Sequence, residues 1–467
     1  MLTNIFDFFY VDIRSLKVFR ILLSSVLIFD LIDRLTDLEA HYSDLGVLPF
    51  FDLSTYETNP WMWSVFKLNH SIEFISFLFI LLLCAALLLL FGIRVRLMTI
   101  ICWIGIVSIQ NRNPIIYQGG DDLLRMLLFW LIFIPNINLK KSPAITKINS
   151  VATMALLCQV LLPFTFSAFF KGKLEWWREG SALFYAFSLD QLTRNFGIWI
   201  SQHYYLTVLI TRIIYVAEFI VFPLFLLPIF RIQIKILLFC FLILFGIGTM
   251  STMMIGIFPF CFIASSVLFI PSFVWDKVWP LHTNQTNLLE ENVNENVLGG
   301  ILIGFIFTLV ILWNVTTIPD TPIRFPEKLK SFMYALRLNQ SWGMFSPTVF
   351  KDDGWIIYKA KLENNKLIDL NDKNYKLTYE KPSYVLDKYK NDRWRKFTEQ
   401  IIQPSHSNYV SNLAKYILLD NKNKLEKLNY KVTQLEIIYM LEVSKPYGVQ
   451  NKIERRLIFS TNKLDKK

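Results

Sequence analysis

Long apolar runs separated by short polar loops fill the first two thirds of the chain. A membrane-spanning helix needs about 20 mostly apolar residues rising 1.5 Å each. Runs of this kind, some of them shorter, cover residues 15–36, 72–92, 97–110, 123–136, 148–170, 206–230, 233–250, 253–271 and 299–317. The pattern predicts a mainly α, polytopic helical membrane protein with about nine spans. The runs at 97–110 and 123–136 are short and border the polar segment Gln110–Asp122, as helices that stop at a wet cavity would. After residue 318 the pattern changes. Pro319, Pro322 and Pro326 break the helix, and 328–338 reads as a short amphipathic helix. Trp355–Leu362, Leu435–Val443 and Arg455–Phe459 then alternate as strands do, with Asn364-Asn365 as a hairpin turn. A helical membrane domain over 1–318 is thus followed by a soluble β-rich or α+β domain over 319–467.

Composition supports the membrane reading: 54% of the 467 residues are hydrophobic and only 18% are charged. That balance excludes an ordinary soluble enzyme. Residues 320–467 hold 28 Lys and Arg against 17 Asp and Glu, whereas the rest holds 20 of each sign. The whole basic excess therefore lies in the tail, which predicts apposition to lipid headgroups or to an acidic peptide or protein substrate. Nucleic acid is not expected, because no zinc finger, basic zipper or ribonucleoprotein signature is present. The five cysteines sit inside apolar runs and the five histidines are scattered, so neither a disulfide framework nor a metal site is predicted. No Gly-rich loop follows a strand, so no nucleotide is expected.

Orientation follows from loop charge. Arg94, Arg96, Lys140, Lys141, Lys147, Arg231 and Lys235 mark cytoplasmic loops, while the acidic stretch 37–71 can translocate. Nine spans then leave the amino terminus cytoplasmic and the C-terminal domain extracytoplasmic. The first run has no small-residue cleavage site and is expected to remain as the first helix. Richness in Lys, Asn and Ile fits a bacterial inner membrane, and a eukaryotic endoplasmic reticulum would show the same topology.

Ionisable residues inside a membrane are costly and are functional candidates by default. Glu218 is the clearest, mid-span and six positions from Arg212, off the face that could pair with it. It reads as a proton shuttle or as a structural bond to another helix. Arg20 and Asp30, ten residues apart on one helix, cannot reach each other, so each needs a partner elsewhere or, for Asp30, Arg34 one turn on. Asp121, Asp122 and Arg125 have the spacing of a helix-start capping cluster or of a headgroup contact. Lys171 and Lys173 precede Trp176 and Trp177 at interfacial depth. They read either as snorkelling anchors or as desolvated bases active near neutral pH.

Seven patterns recur in order. They are Arg20–Asp30; His41-Tyr42-Ser43-Asp44-Leu45-Gly46-Val47-Leu48-Pro49; Asn111-Arg112-Asn113-Pro114 with Gly119-Gly120-Asp121-Asp122; and Lys171 to Trp177-Arg178-Glu179-Gly180. Glu218 with Pro223, Ile255-Gly256-Ile257-Phe258-Pro259, and Gln340–Pro347 leading to Asp353-Gly354-Trp355 complete the set. The chain in this respect resembles the horizontally transferred transmembrane (HTTM) family, which includes the vitamin K-dependent γ-glutamyl carboxylases. The resemblance implies an extracytoplasmic carboxy-terminal domain, a reduced vitamin K of menaquinol type as cofactor, and a catalytic lysine within Lys171–Lys173. It also draws attention to Arg20, Asp30, Asn111, Arg112, Asn113, Asp121, Asp122, Arg125 and Trp177 as cofactor- or substrate-binding candidates. Gly246 stands where the carboxylases carry a histidine, and the Asn111–Asn113 stretch lacks the histidine of their Asn-His pair. The resemblance therefore admits two function classes: a carboxylase-like, quinone-dependent enzyme acting on an exported or membrane-associated substrate, and a non-carboxylating membrane protein for peptide maturation, assembly or immunity.

Overall fold

A computed structural model of the chain describes residues 9–56, 59–135, 147–280 and 297–461. Lys140 and Lys141 of the cytoplasmic reading lie outside them, as does most of the loop that precedes the last apolar run. Each of the nine apolar runs contains a helix. In chain order the longer helices are α1 (Ile13–Leu35), α2 (Ile72–Phe91), α3 (Val95–Arg112), α4 (Gly119–Phe133), α5 (Val151–Phe170), α6 (Tyr204–Phe225), α7 (Arg231–Thr252), α8 (Phe258–Ser266) and α9 (Val297–Thr317).

Among the described residues five of these, α2, α5, α6, α7 and α9, are long and apolar enough to cross a membrane. The number rises to six if α8 and its 3-10 extension are joined with Ser272–Val278, which turn through 91° at the break. This is fewer than the nine expected from hydropathy, for identifiable reasons. α4 is only 15 residues long, the 18 residues of α3 include Arg96 and the polar end Gln110-Asn111-Arg112, α1 carries several charged side chains, and the run at 253–271 is a bent pair rather than one straight helix. α5 is the central helix, with 83% of its apolar window buried against 28–33% for the other four. It packs against α4, α6 and α9. The outward faces of the remainder carry exposed Phe77, Ile80, Leu81, Leu244, Ile301 and Phe305, which water would not tolerate in such density and lipid does.

Local chemistry sets the helix ends. Ser71 caps α2 by accepting from Phe74 N–H, and Gly92 ends it in the left-handed conformation (φ 78°). The Gly92 position also admits the Arg20 guanidinium, which lies where a Cβ would sit. Ser150 and Thr153 form a reciprocal cap at the start of α5.

The tail is α+β. α10 (Glu327–Ala335) occupies the predicted amphipathic stretch. Four antiparallel strands in the order β4-β3-β5-β6 follow a short N-terminal pair, β1 (Val11–Asp12) with β2 (Lys147–Ile148). They are β3 (Asp352–Leu362), β4 (Leu367–Asp369), β5 (Val432–Val443) and β6 (Lys452–Ser460). The predicted Asn364-Asn365 turn joins β3 to β4, with Asn365 at φ 62°. Two helices, α11 (Asp392–Ile401) and α12 (Val410–Lys427), were not anticipated by the alternation pattern. Phe397, Ile401, Leu413 and Ile417 on these helices join Ile356, Leu435 and Ile437 of the sheet in one core.

The two ends of the helical part are chemically distinct. Near the start of α1, Lys235 donates to the Tyr10 carbonyl (2.7 Å), and β1 pairs beside Lys147. At the far end of α1, about 34 Å away at 1.5 Å per residue, Asp30 meets Arg393 of α11 and Asp37 meets Lys390 of the loop before it. The tail therefore docks on the end of the helix bundle opposite the one at which α1 begins.

Candidate functional site

Lys171 caps the C-terminal end of α5, and Glu218 lies two thirds of the way along α6. The two helices pack together, and the Lys171 ammonium donates to both Glu218 carboxylate oxygens at 2.5 Å, both side chains being buried. The same ammonium lies 3.7 Å above the Trp176 ring. Glu218 thus finds its partner from a neighbouring helix, and Arg212 instead donates to the carbonyls of Trp177 and Arg178. Lys173 is exposed and takes no part. Beside the pair, the rings of Phe169, Phe219, Tyr215 and Trp177 form a continuous row with centroids 5.0–6.1 Å apart. Phe169, Phe219 and Trp177 in this row are exposed on the outer surface of the bundle.

The segment after Lys171 is stitched to the Gly343–Pro347 motif. Gly172 N–H donates to the Pro347 carbonyl (2.8 Å), the Trp176 indole donates to Phe345 (3.2 Å), and Val349 N–H donates to Glu175 (3.0 Å). A Cβ at Gly172 would come within 2.7 Å of the Pro347 carbonyl, so the position admits only glycine without a shift.

A second cluster holds the tail to the helices. Arg393 of α11 donates to Asp121 (2.6 and 2.8 Å) and to Asp30 (2.8 Å). Arg34 donates to Asp30 (2.7 Å), Asp121 (2.6 Å) and the Tyr42 hydroxyl (2.6 Å). Two carboxylates and two guanidinium groups, all buried, therefore form one neutral network. Asp30 meets both Arg34 one turn on and a partner from far along the chain. Asp121 also caps α4 by accepting from Gln118 N–H (2.9 Å), as an acid at a helix start should. Arg125 bonds Asp122 and Tyr117 and reaches the carbonyls of Arg337 and Asn339, both at 2.8 Å.

The remaining candidates hold backbone. Asn111 donates to the Trp63 carbonyl (2.6 Å), Arg112 to Leu48 (2.9 Å) and Ser43 (3.3 Å), and Asn113 to His41 (2.9 Å). Arg112 and Asn113 pin the 41–50 loop against α3, and Asn111 pins the stretch at Trp63. His41 is fully buried beside Trp394 (4.7 Å), and burial pushes its imidazole down to about 3, so it stays neutral. Gly246 is a close-packing point between α7 and α8. A Cβ there would lie 2.6 Å from Ile263 and 3.0 Å from the Pro259 carbonyl, so no imidazole fits.

Several motifs converge on a cavity of about 390 Å³ between the helix ends and the tail. Gly119 and Gly120 of α4, Ile255 and Phe258 line its helical side, and Met344, Phe345, Arg395, Lys396, Glu399, Tyr439 and Leu441 line its tail side. Neither Lys171 nor Glu218 lines it, although Phe345 separates it from Trp176 and so from the pair.

The Asp353 motif also touches this region. Its carboxylate accepts from the backbone N–H groups of Asp190 (2.6 Å) and Gln191 (3.2 Å). Asp190, Asp353 and Glu442 bring ligand atoms within 4.8 Å of one another. Lys381 already supplies their positive charge, 2.5 Å from Asp190 and 2.7 Å from Glu442. Burial, reinforced by the charge of Asp190, pushes Asp353 up to about 8. The folded protein therefore holds this proton more tightly than the unfolded chain, whose aspartates titrate near 4. Stability is highest below about pH 4 as far as this group is concerned and falls as pH rises towards 8, by up to about 1.4 kcal/mol per unit. Thermal unfolding in detergent should show the wild type losing stability between pH 5 and pH 8.5 and Asp353→Asn losing much less. Equal slopes would mean that Asp353 is ionised in the folded protein.

Comparison with protein families, curated proteins and solved structures finds no match for this chain. Sequence reasoning singled out Lys171, Glu218, Asp30 and Asp121, but Arg393 escaped it, since nothing local marks one arginine in a basic tail as the partner of aspartates more than 270 residues away.

Proposed function

We propose that this protein is an integral membrane, carboxylase-like enzyme in which Lys171 and Glu218 handle the proton of a reduced, lipid-soluble quinone. The observation that carries the reading is the buried ion pair at the end of α5, bordered by a row of aromatic rings facing outward from the bundle. In a low-dielectric site the charged pair and its neutral form, with the proton moved from Lys171 to Glu218, lie closer in energy than in water. In the neutral form Lys171 is a free amine able to take a proton near pH 7. The exposed faces of Phe169, Phe219 and Trp177 suit a flat ring arriving from lipid. When bound, a menaquinol-type hydroquinone would supply the acidic hydroxyl and the reducing electrons. Lys171 would accept the hydroxyl proton and Glu218 would hold the proton that Lys171 gave up. The substrate on this reading is an exported or membrane-associated peptide or protein.

The test is oxidation of a naphthoquinol by the purified full chain in air-saturated buffer, with dissolved dioxygen as the acceptor of its electrons. Lys171→Gln should lower turnover by about 100-fold or more, the usual yield of general acid–base catalysis, and Lys173→Gln should leave it unchanged. Absence of turnover with every naphthoquinol, or full turnover in Lys171→Gln, would overturn the assignment.

A second reading has its own support. At Gly246 there is no room for the side chain the carboxylases carry, and Asn111 to Asn113 are committed to holding a loop. Those features favour a non-carboxylating membrane protein for peptide maturation, assembly or immunity, in which the Lys171–Glu218 pair only joins two helices.

Both readings share a topology. We infer a cytoplasmic amino terminus and an extracytoplasmic tail, in a membrane of bacterial inner-membrane type. Support comes from Arg94, Lys147, Arg231 and Lys235, which mark the bundle end at which α1 begins, whereas the tail packs at the other end. A periplasm-active reporter fused after Lys467 should be active and a cytoplasm-active one silent; the reverse pattern would invert the orientation.

A further inference from the structure

β6 (Lys452–Ser460) is the outer strand of the tail's sheet, paired with β5 on one side only. Residues 452–457 are exposed without interruption. Among the described residues, the backbone groups of 452–460 make no hydrogen bond other than those of the β5 ladder. A row of unpaired N–H and C=O groups on a nine-residue strand is a template for one more strand. Proteins commonly blunt such an edge with a proline, an inward-pointing charge or a covering helix. β6 contains no proline, its one bulge lies at Ile458 beyond the 452–457 stretch, and its Ile453 and Leu457 are 41% and 59% exposed on one face.

The edge has a charge preference. Lys452, Arg455 and Arg456 outnumber Glu454, and Lys445 lies in the loop just before the strand. Like charges beside one another on paired strands are unfavourable and opposite charges favourable. Side chains alternate along a strand, so Ile453, Arg455 and Leu457 share one face of β6 and Lys452, Glu454 and Arg456 the other. An acidic strand with apolar residues at alternate positions would set its apolar side chains beside Ile453 and Leu457 and its acidic ones beside Lys452 and Arg456, where a second copy of the basic β6 brings three cations and one acid. The strand also leads somewhere. Arg456 and Ile458 line the 390 Å³ cavity between tail and helices.

We propose that β6 is a docking edge for an extended acidic peptide segment, which adds to the sheet as a fifth strand and runs towards the mouth of that cavity. The inference is independent of the Lys171–Glu218 assignment, since it concerns recognition on another surface.

The test uses the full chain in detergent and a fluorescent probe peptide of alternating Glu and Val, read by anisotropy. Three comparisons decide it. N-methylation of alternate amides, which leaves charge intact but blocks pairing along one edge, should weaken binding at least tenfold for one of the two methylation registers. A Lys and Val peptide should not bind at low salt. The surface variant Arg455→Glu/Arg456→Glu should weaken the acidic peptide at least tenfold while keeping the wild-type melting temperature. Equal binding of both methylated peptides and the unmodified one would show attraction by charge alone and overturn the proposal. So would absence of binding, or displacement of the peptide by a concentration-dependent dimer of the chain. Because the methylated peptides are tested on wild-type protein, the result stands even if the double variant folds poorly.

Discussion

Replacing Arg393 by alanine is expected to destabilise the protein by about 3–5 kcal/mol and to loosen the tail from the helices. Arg393 is buried and donates to Asp30 and Asp121, which share Arg34 as their other cation. With both arginines the network is neutral. Without Arg393 one negative charge is left buried and unmatched, and breaking a buried ion pair from one side costs about this much because the stranded charge has lost its water. Arg393→Lys should recover only part of the loss, since an ammonium cannot make the two-sided contacts of a planar guanidinium. Adding Asp121→Asn to Arg393→Ala restores neutrality and should rescue a measurable part of the stability, the sign of direct coupling between the two positions. Denaturant unfolding in detergent reads all three. A loss under about 1 kcal/mol for Arg393→Ala would mean that water replaces the guanidinium and that the network does not hold the tail.

The parts of this fold legible in the sequence are those written in local pattern. All nine apolar runs contain helices, because an unbroken run of apolar side chains leaves the backbone no water to bond and a helix satisfies it internally. The three predicted strands lie within β3, β5 and β6, since alternation over five or more residues is a local signal. The break at residues 269–272 was not legible, although Pro271 stands there, because hydropathy averages over a window and does not see a bend. α11 was missed for a different reason. Its apolar positions Trp394, Phe397 and Ile401 have helical spacing, and Asn391 caps it, but they are embedded in a charged stretch that averages as polar. In the candidate site, Glu218 announces itself by being an acid in an apolar span. Its partner does not, because Lys171 is 47 residues away at the end of another helix and only packing brings them together. The choice between Lys171 and Lys173 likewise depends on which way the chain turns after α5, which Gly172 and its bond to Pro347 decide.

Breaking the Lys171–Glu218 pair from either side should be costly whatever the pair does. Lys171→Met alone leaves a buried carboxylate and Glu218→Leu alone leaves a buried ammonium, each expected to cost about 3–5 kcal/mol. Activity lost in either single variant, Lys171→Gln included, therefore counts towards catalysis only when the variant's unfolding stability is measured beside it. The double variant Lys171→Met/Glu218→Leu separates the two roles, because exchanging both charges for apolar groups of similar size is often neutral or stabilising. It removes the desolvation cost of the pair together with its capacity to move a proton. Measured side by side in detergent, unfolding stability and naphthoquinol oxidation by this double variant test the central claim most directly. The account predicts stability within about 1 kcal/mol of the wild type with quinol oxidation abolished. A stable double variant that oxidises the quinol at the wild-type rate would contradict it and leave Lys171 and Glu218 as a structural link between two helices.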